Sequence, residues 1–444
     1  MTIRRLLIAN RGEIARRIMR ACRELGIETV AVYSDADAQA PFVREADHAV
    51  RLGPAPARES YLHIHAIRDA AASTGAEAIH PGYGFLSERA PFARACEAAG
   101  LIFVGPPASA LEKMGSKTGA RQLMQAAKVP VVPGEIPRDQ SEAAFQEAIT
   151  RTGLPALLKP AAGGGGIGMK VVRTAAEIGE ALAAAKREAK ASFGDDAVYV
   201  ERLIEQPRHV EIQVFADNHG HTVHLFEREC SAQRRHQKVI EESPCPALSP
   251  KVRAQMGAAA VAAAEAVGYR NAGTCEFLLE GSGDDARFYF LEMNTRLQVE
   301  HPVTESVVGV DLVHAQLRVA AGEPLPFTQD SLQQRGHAIE CRIYAEDPAQ
   351  GFIPQAGPLL LYQEPQGPGI RVDSGVAQDS EVSVHYDPML AKLIVHGETR
   401  EVARRRAVAA LRAYAILGIR TNIPFLIGIL EHPAFVTASI DTRF

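Results

Sequence analysis

The sequence predicts a mixed chain, α/β in its first part and α+β beyond it. Three observations carry this reading. Strand and helix patterns alternate over the first hundred residues, period-two polarity marks the middle of the chain, and an Arg-rich amphipathic helix lies near the end. In order, 3–9 reads as a strand, 13–25 as a helix with apolar spacing of three and four, and 29–33 as a strand. Then 61–74 reads as a helix, 76–80 as a strand, 88–99 as a helix and 101–104 as a strand. That rhythm indicates a doubly wound parallel sheet. The first strand-to-helix turn, Asn10-Arg11-Gly12-Glu13, lacks G-x-G-x-x-G, which argues against a dinucleotide site. The cluster Pro130-Val131-Val132-Pro133-Gly134 stops a helix near Ala127 and opens a compact segment to about residue 203, which reads as an insertion. Polar alternation then predicts strands at 209–226, 273–280 and 287–300, with an Ala-rich helix at 251–267. After a Gly/Pro/Gln stretch near 322–334, a last strand-and-helix region begins at Gly336 and ends with a helix around 400–415.

With 444 residues the chain exceeds a single core, and two to four domains are expected. A formal charge of −5 with mixed signs offers no basic face to nucleic acid. No apolar run approaches a membrane span, and the N-terminal apolar stretch is too short for a signal peptide. The cysteines (Cys22, Cys96, Cys230, Cys245, Cys275, Cys341) form no C-x-x-C pair, so neither a zinc site nor a disulfide framework is expected. A reduced, cytoplasmic protein is the expectation.

Chemistry is concentrated in three places. In Leu158-Lys159-Pro160-Ala161-Ala162-Gly163-Gly164-Gly165-Gly166-Ile167-Gly168-Met169, consecutive glycines let backbone N–H groups converge on phosphate oxygens, with Lys159 adding charge. No Gly-Lys-Ser/Thr follows and a strand does, so the run is not a P-loop. It reads either as a hairpin flap closing on nucleotide or as a flexible tight turn. Next, Glu276 and Glu292 interrupt apolar strands, and Glu292, Asn294, Arg296, Gln298 and Glu300 continue at strict period two. Adjacent carboxylates repel unless a cation sits between them, and with an amide oxygen they suit Mg²⁺. The alternative is a solvated sheet face. Last, 227–242 packs charge of both signs, preceded by the polar face His209, Glu211 and Gln213. It reads as a solvated loop or as a cradle in which Lys238 or Arg296 holds a small anion beside ATP.

Together these stretches resemble the biotin carboxylases of the ATP-grasp superfamily, over essentially all 444 residues. The likeness rests on Ala9-Asn10-Arg11-Gly12-Glu13-Ile14-Ala15, His80-Pro81-Gly82-Tyr83-Gly84-Phe85-Leu86-Ser87-Glu88, the glycine run, Gln233-Arg234-Arg235-His236-Gln237-Lys238, Glu292 to Pro302, Arg335 to Arg342, and Tyr386 to Lys392. It implies an ATP-grasp fold with an N-terminal domain over 1–114 and an ATP-grasp domain over 115–330, whose glycine-rich lid spans about 131–203. A C-terminal domain with antiparallel sheet would span 335–441. Lys117 and Lys159 would hold the nucleotide phosphates, under a lid that includes Gly164, Gly165, Gly166 and Met169. Glu201, Leu203, Ile204 and Leu278 would contact adenine, and His209, Gln233 and His236 would line the nucleotide site. Glu276, Glu292 and Asn294 would carry Mg²⁺ or Mn²⁺. Lys238, Arg296, Gln298, the Val299 backbone and Glu300 would bind bicarbonate, with Glu300 as general base. Arg342 would face the biotin ureido oxygen and Tyr83 would lie beside the biotin.

The implied reaction spends ATP on bicarbonate to form carboxyphosphate and carboxylates a carrier-borne biotin. A homodimer is expected, together with a biotin carboxyl carrier and a carboxyltransferase on other chains or domains, because no Ala-Met-Lys-Met motif occurs here. Leu360-Leu361-Tyr362 and Gly418 to Pro424 resemble the front part of propionyl- or methylcrotonyl-type α subunits. Two positions depart from the pattern: Ile167 where a basic residue is common, and Arg202 where a lysine is. The alternatives are another ATP-grasp ligase forming a different acyl phosphate, and an inactive carrier-docking scaffold.

Overall fold

The computed structural model describes residues 3–162, 167–235 and 237–444. The N-terminal unit is a parallel sheet of β1 (Arg5–Ile8), β2 (Glu28–Ser34), β3 (His48–Gly53), β4 (Ala78–His80) and β5 (Ile102–Phe103), ordered β3-β2-β1-β4-β5. Strand alternation sends Leu6 and Ile8 to one face and Leu7 and Ala9 to the other. The first pair packs on Ile14 and Ile18 of α1 (Gly12–Glu24), the second on Ile67, Ala70 and Phe92. Both faces are covered, as the doubly wound expectation requires. β3 is unforeseen because it is an edge strand with its first residues exposed, and no apolar run marks it. The helix expected over 61–74 begins at Ile64, where His63 Nδ1 accepts from Ala66 N at 3.0 Å. Tyr61 is drawn aside by its hydroxyl's bond to Asp37 (2.6 Å).

The α2 helix (Lys117–Ala126) leads to the insertion. This is a small antiparallel sheet of β6 (Gly134–Glu135), β7 (Ala156–Pro160), β8 (Lys170–Val172) and β9 (Val198–Arg202), ordered β6-β9-β7-β8. It has a core of its own, with Phe145, Leu158, Val172, Leu182 and Val200. β7 and β8 pair in a hairpin around the glycine run. Gly164, Gly165, Gly166 and His236 lie outside the described residues.

The main sheet is antiparallel: β10 (Arg208–Ala216), β11 (Thr222–Arg234), β12 (Gln237–Ser243), β13 (Asn271–Glu280), β14 (Arg287–Asn294), β15 (His337–Tyr344), β16 (Ile370–Ser374) and β17 (Met389–Gly397). Their order is β14-β13-β10-β11-β12-β15-β17-β16. The region expected as one strand over 209–226 is two, split by a turn in which Asp217 Oδ1 accepts from the amides of His219 (2.7 Å) and His221 (3.0 Å). The strand expected to reach residue 300 stops at Asn294. There Glu88 Oε1 takes the Thr295 N–H at 2.9 Å and lifts the chain off the ladder.

One face of this sheet is apolar. Val210, Ile212, Val214, Cys275 and Phe277 pack on the α3 helix (Pro250–Val267), and Ile339, Cys341 and Ile343 pack near Ala407 and Leu411 of α5 (Arg400–Ala413). Each such large side chain contributes about 2 kcal/mol on burial. The opposite face carries His209, Glu211, Glu276, Glu241, Glu340 and Arg342. It is covered by the segment after β14 and by the α4 helix (His301–Val308), so these groups are buried as well. That rules out a solvated sheet face. A buried ion network rarely adds net stability over apolar side chains of the same shape, so this face has to be explained by chemistry.

Candidate active site

At the centre stands Lys238 on β12. Its Nζ donates to Glu211 (2.5 Å), Glu276 (2.8 Å) and Glu300 (2.7 Å). Burial disfavours an ammonium, but the three carboxylates outweigh it and hold Lys238 charged, well above its ordinary range. Glu300, the residue before α4, is bridged by Lys238 and by Arg342 Nη2 at 3.0 Å. Burial would raise its carboxyl, yet these cations hold it well below the ordinary range. Arg342 also donates to Glu241 at 2.6 Å. Arg342 is buried, and its partners lie on β12 and before α4.

Arg296 lies in the irregular segment after β14. Its Nε meets Glu88 at 3.0 Å, and its other nitrogens donate to Gln298 Oε1 (2.9 Å) and Asn294 Oδ1 (3.1 Å). Gln298 in turn donates to Glu276 at 3.2 Å. The polar series therefore converges although its last members are not strand. Gln233 donates to His209 Nδ1 at 3.0 Å, which leaves the proton on Nε2, 3.1 Å from Glu276 Oε2.

Glu276 and Glu292 are direct cross-strand partners on β13 and β14. Burial pushes Glu276 up, but Lys238 and His209 outweigh it and hold the carboxyl low. Burial and the Glu276 charge push Glu292 up, against Lys117 and Lys159. Two hard-oxygen donors in repulsion, Glu276 buried and Glu292 half-buried, suit a divalent cation. Buried Asn294 adds an amide oxygen, a third hard donor, which here accepts from Arg296 at 3.1 Å. The residues thus fit Mg²⁺, and Glu276, Glu292 and Asn294 would hold it. The neighbouring triad His209, Glu211 and Glu276 also brings donor atoms within 4.8 Å of one another. Lys238 already fills the cation place beside it.

Lys117 begins α2, where the helix dipole disfavours a cation and favours an anion. Burial and Lys159 push its ammonium down. Lys159, buried on β7, donates to Glu201 Oε2 at 2.9 Å, and Arg121 takes Glu201 Oε1 at 2.9 Å. Leu278 pairs with His209 across β13 and β10. Leu203, Ile204 and Met169 take no part in this ion-pair network among the described residues. Arg202 is committed to Glu280 (3.0 and 2.9 Å) and to the Tyr289 hydroxyl (3.1 Å).

Tyr83, Arg296, Val299 and Arg342 line a cavity of about 510 Å³ with Phe85 and Tyr386. The turn presenting Tyr83 is fixed by Asn10 Nδ2, which donates to the carbonyls of Pro81 (2.8 Å) and Tyr83 (2.7 Å). Gly82 between them has φ +61°, and a Cβ there would meet Asn10 at 2.9 Å, so glycine is required. Three members of the network carry no role in the sequence reading. Arg228 on β11, which donates to Glu211 at 2.5 Å, and Glu241 on β12 sit at alternating strand positions, the same pattern that marks Glu211. The part played by Glu88 depends on tertiary contact.

The comparisons agree with this geometry. Family models match as Biotin carboxylase, N-terminal domain over residues 2–111, Carbamoyl-phosphate synthase L chain, ATP binding domain over 116–328, and Biotin carboxylase C-terminal domain over 340–444. The chain is 50% identical over 442 residues to Biotin carboxylase 1 of Bacillus subtilis, covering 100% of this chain and 98% of that one. The chain belongs to the biotin carboxylase family. Biotin carboxylases are ATP-dependent ligases, and the ATP-grasp fold is the one observed. The mitochondrial methylcrotonoyl-CoA carboxylase subunit alpha of Glycine max is 52% identical over 442 residues, covering 100% of this chain but 60% of its own length. The chain thus spans about three fifths of that relative, as the resemblance to the front of such α subunits implied. Among solved structures, the biotin carboxylase domain dimer of Hydrogenobacter thermophilus 2-oxoglutarate carboxylase, in complex with MgADP, ADP and bicarbonate, matches with a TM-score of 0.93. It is 43% identical, and the match covers 100% of this chain and 97% of that one. No helix among the described residues is long and apolar enough to cross a membrane.

Proposed function

We propose that the chain carboxylates biotin borne on a carrier, using ATP and bicarbonate, with the residues named above in the following roles. The bridging of Glu300 by Lys238 and Arg342 carries this reading. Without substrate the two cations neutralise a carboxylate that would otherwise be costly to bury. Bicarbonate arriving between Lys238, Arg296, Gln298 and the Val299 backbone would draw on the same cations. Glu300 would then lose part of its compensation and become basic enough to take the bicarbonate proton. Lys117 and Lys159 hold the phosphates of ATP. The divalent cation at Glu276, Glu292 and Asn294 would neutralise phosphate charge. The bicarbonate oxygen attacks the γ-phosphoryl and ADP leaves, giving carboxyphosphate. This breaks down to CO₂ and phosphate, and phosphate removes the biotin N1′ proton. Arg342 neutralises the ureido oxygen as charge develops there, and N1′ bonds to CO₂. Tyr83 walls the biotin side of the cavity. His209, Gln233 and His236 line the nucleotide site, and Glu201, Leu203, Ile204 and Leu278 contact adenine under a lid that includes Met169 and Gly164 to Gly166.

The partners are a biotin carboxyl carrier and a carboxyltransferase, on other chains or domains, and a second copy of this chain in a homodimer. The similarity to methylcrotonoyl-CoA carboxylase α favours a branched acyl-CoA as the final acceptor, selected in that other active site. The division into units at 1–114, 115–330 and 335–441 is retained. Six buried unpaired thiols favour a reducing compartment, and we place the protein in the cytoplasm. The test is phosphate release from Mg-ATP with and without bicarbonate. Activity independent of bicarbonate would defeat the reading.

A further inference from the structure

Behind the bicarbonate side of the site lies a lysine that the proposed mechanism does not use. Lys392 on β17 is fully buried and stands directly across from Arg342 in the sheet register. Its Nζ donates to the carbonyl of Val299 at 2.7 Å. That carbonyl belongs to the peptide unit leading into Glu300, so the contact fixes the backbone from which the glutamate side chain departs. The nearest carboxylate to Lys392 is Glu13 at 3.4 Å, in the first turn of α1. Glu13 is buried, and Gly375 passes so close to its backbone that a Cβ there would stand 2.7 Å from the Glu13 amide nitrogen. The Glu13 carboxylate also accepts a hydrogen bond from the Tyr83 hydroxyl. Asp373 faces Lys392 in register on β16, but its oxygens are committed to Arg371 at 3.0 and 2.6 Å. Glu340, one strand away, has both carboxylate oxygens without a hydrogen-bond partner among the described residues. A fully buried ammonium held by one carbonyl at 2.7 Å and one carboxylate at 3.4 Å is a poor stabilising device, since apolar side chains of the same shape would do as well. Its value has to lie in what it holds in place.

We propose that Lys392 is a positioning residue that ties the two ends of the site together, clamping the Val299 carbonyl behind Glu300 and, through Glu13, the hydroxyl of Tyr83. The proposal rests on the reading above of Glu300 at the bicarbonate end and Tyr83 at the biotin end. Its consequence is coupling. A shift of Tyr83 when biotin fills the cavity is passed through Glu13 and Lys392 to the Val299–Glu300 backbone, so carboxyphosphate formation responds to biotin.

The test compares Lys392→Met, Lys392→Arg and the double variant K392M/E13Q with wild type and Glu300→Gln. The double variant removes both buried charges at nearly constant volume and is read in the same way if the single variant does not fold. Each protein is assayed for bicarbonate KM, ATP KM, phosphate released per carboxybiotin formed, and melting temperature. K392M and the double variant should raise the bicarbonate KM about tenfold, the scale expected when a reacting group is displaced by a fraction of an ångström. ATP KM should change by less than about twofold, because Lys117 and Lys159 do not contact this clamp, and phosphate per carboxybiotin should rise. K392R should recover part of the loss. A melting temperature that falls while bicarbonate KM and coupling stay at wild-type values would overturn the proposal. So would an ATP KM that rises in parallel with bicarbonate KM. If Glu300→Gln also leaves bicarbonate dependence untouched, the assignment of the bicarbonate site has failed. If only the Lys392 variants are silent, the clamp alone has failed.

Discussion

Glu276 and Glu292 stand directly opposite each other on β13 and β14, Glu276 beside Lys238 and His209 and Glu292 toward Lys117 and Lys159. In the absence of a cation Glu292 bears the repulsion, with burial and the Glu276 charge raising its carboxyl. Glu292→Gln should therefore act in opposite directions on two measurements. The Mg²⁺ concentration for half-maximal ATP cleavage should rise about tenfold, because one charged oxygen donor is lost. The metal-free protein should become more stable, by on the order of 1 kcal/mol, because the repulsion is gone. Mg²⁺ titration of the rate and thermal melts in chelator check the two parts. An unchanged titration would remove Glu292 from the metal site.

The role proposed for Arg342 would separate the two halves of the reaction. In that role Arg342→Ala removes a donor aimed at the developing ureido oxyanion and should cost carboxybiotin formation about a hundredfold. It also frees Glu300 of one of its two cations, which leaves it no weaker a base, so phosphate release should change by less than about tenfold. The variant wastes ATP. Phosphate and carboxybiotin measured in parallel decide it, and equal losses would contradict the assignment.

Glu88 lies in the N-terminal unit yet receives three bonds from the segment after β14: the Thr295 N–H (2.9 Å), the Thr295 hydroxyl (3.1 Å) and Arg296 Nε (3.0 Å). Glu88→Gln keeps the shape and loses the charge. Arg296 should loosen, and the bicarbonate KM should rise about threefold to tenfold with kcat little changed. Steady-state kinetics at varied bicarbonate test this, and a fall in kcat alone would speak against a positioning role.

The Glu241 carboxyl gives a pH signature. Burial pushes it up, Arg342 draws it down and Glu300 raises it again, leaving it at about 7 against an ordinary 4.5. Between those values the folded chain keeps a proton that the unfolded chain has released. The contribution of Glu241 to stability is thus greatest below the lower value and declines as pH rises to the upper one. The span corresponds to about 3 kcal/mol at most. The stability of wild type relative to Glu241→Gln, from urea unfolding, should fall between about pH 5 and about pH 8. A flat difference would show that Glu241 titrates normally.

Much of this site is legible in the sequence because strands alternate. Glu276 and Glu292 break apolar runs, and that one irregularity marks two carboxylates that stand opposite each other on neighbouring strands. Arg296, Gln298 and Glu300 keep the same period although the strand has ended. There alternation marks side chains that do converge, but on irregular backbone, since Glu88 and not the ladder holds the chain after Asn294. The edge strand His48–Gly53 was illegible because half-exposed edges need no apolar run. Lys392, Glu13 and Glu88 act through contacts between residues tens to hundreds of positions apart, which no local pattern records. Arg342 illustrates the limit best. Its strand and face were readable, but its partners Glu241 and Glu300 are set by how β12 and α4 meet β15.

Phosphate release from Mg-ATP in degassed buffer, with and without radiolabelled bicarbonate and free biotin, tests the reaction most directly. Phosphate should appear only when bicarbonate is present and faster with biotin, with label transferred to biotin. Equal release without bicarbonate, or bicarbonate-dependent release that never labels biotin, would contradict it.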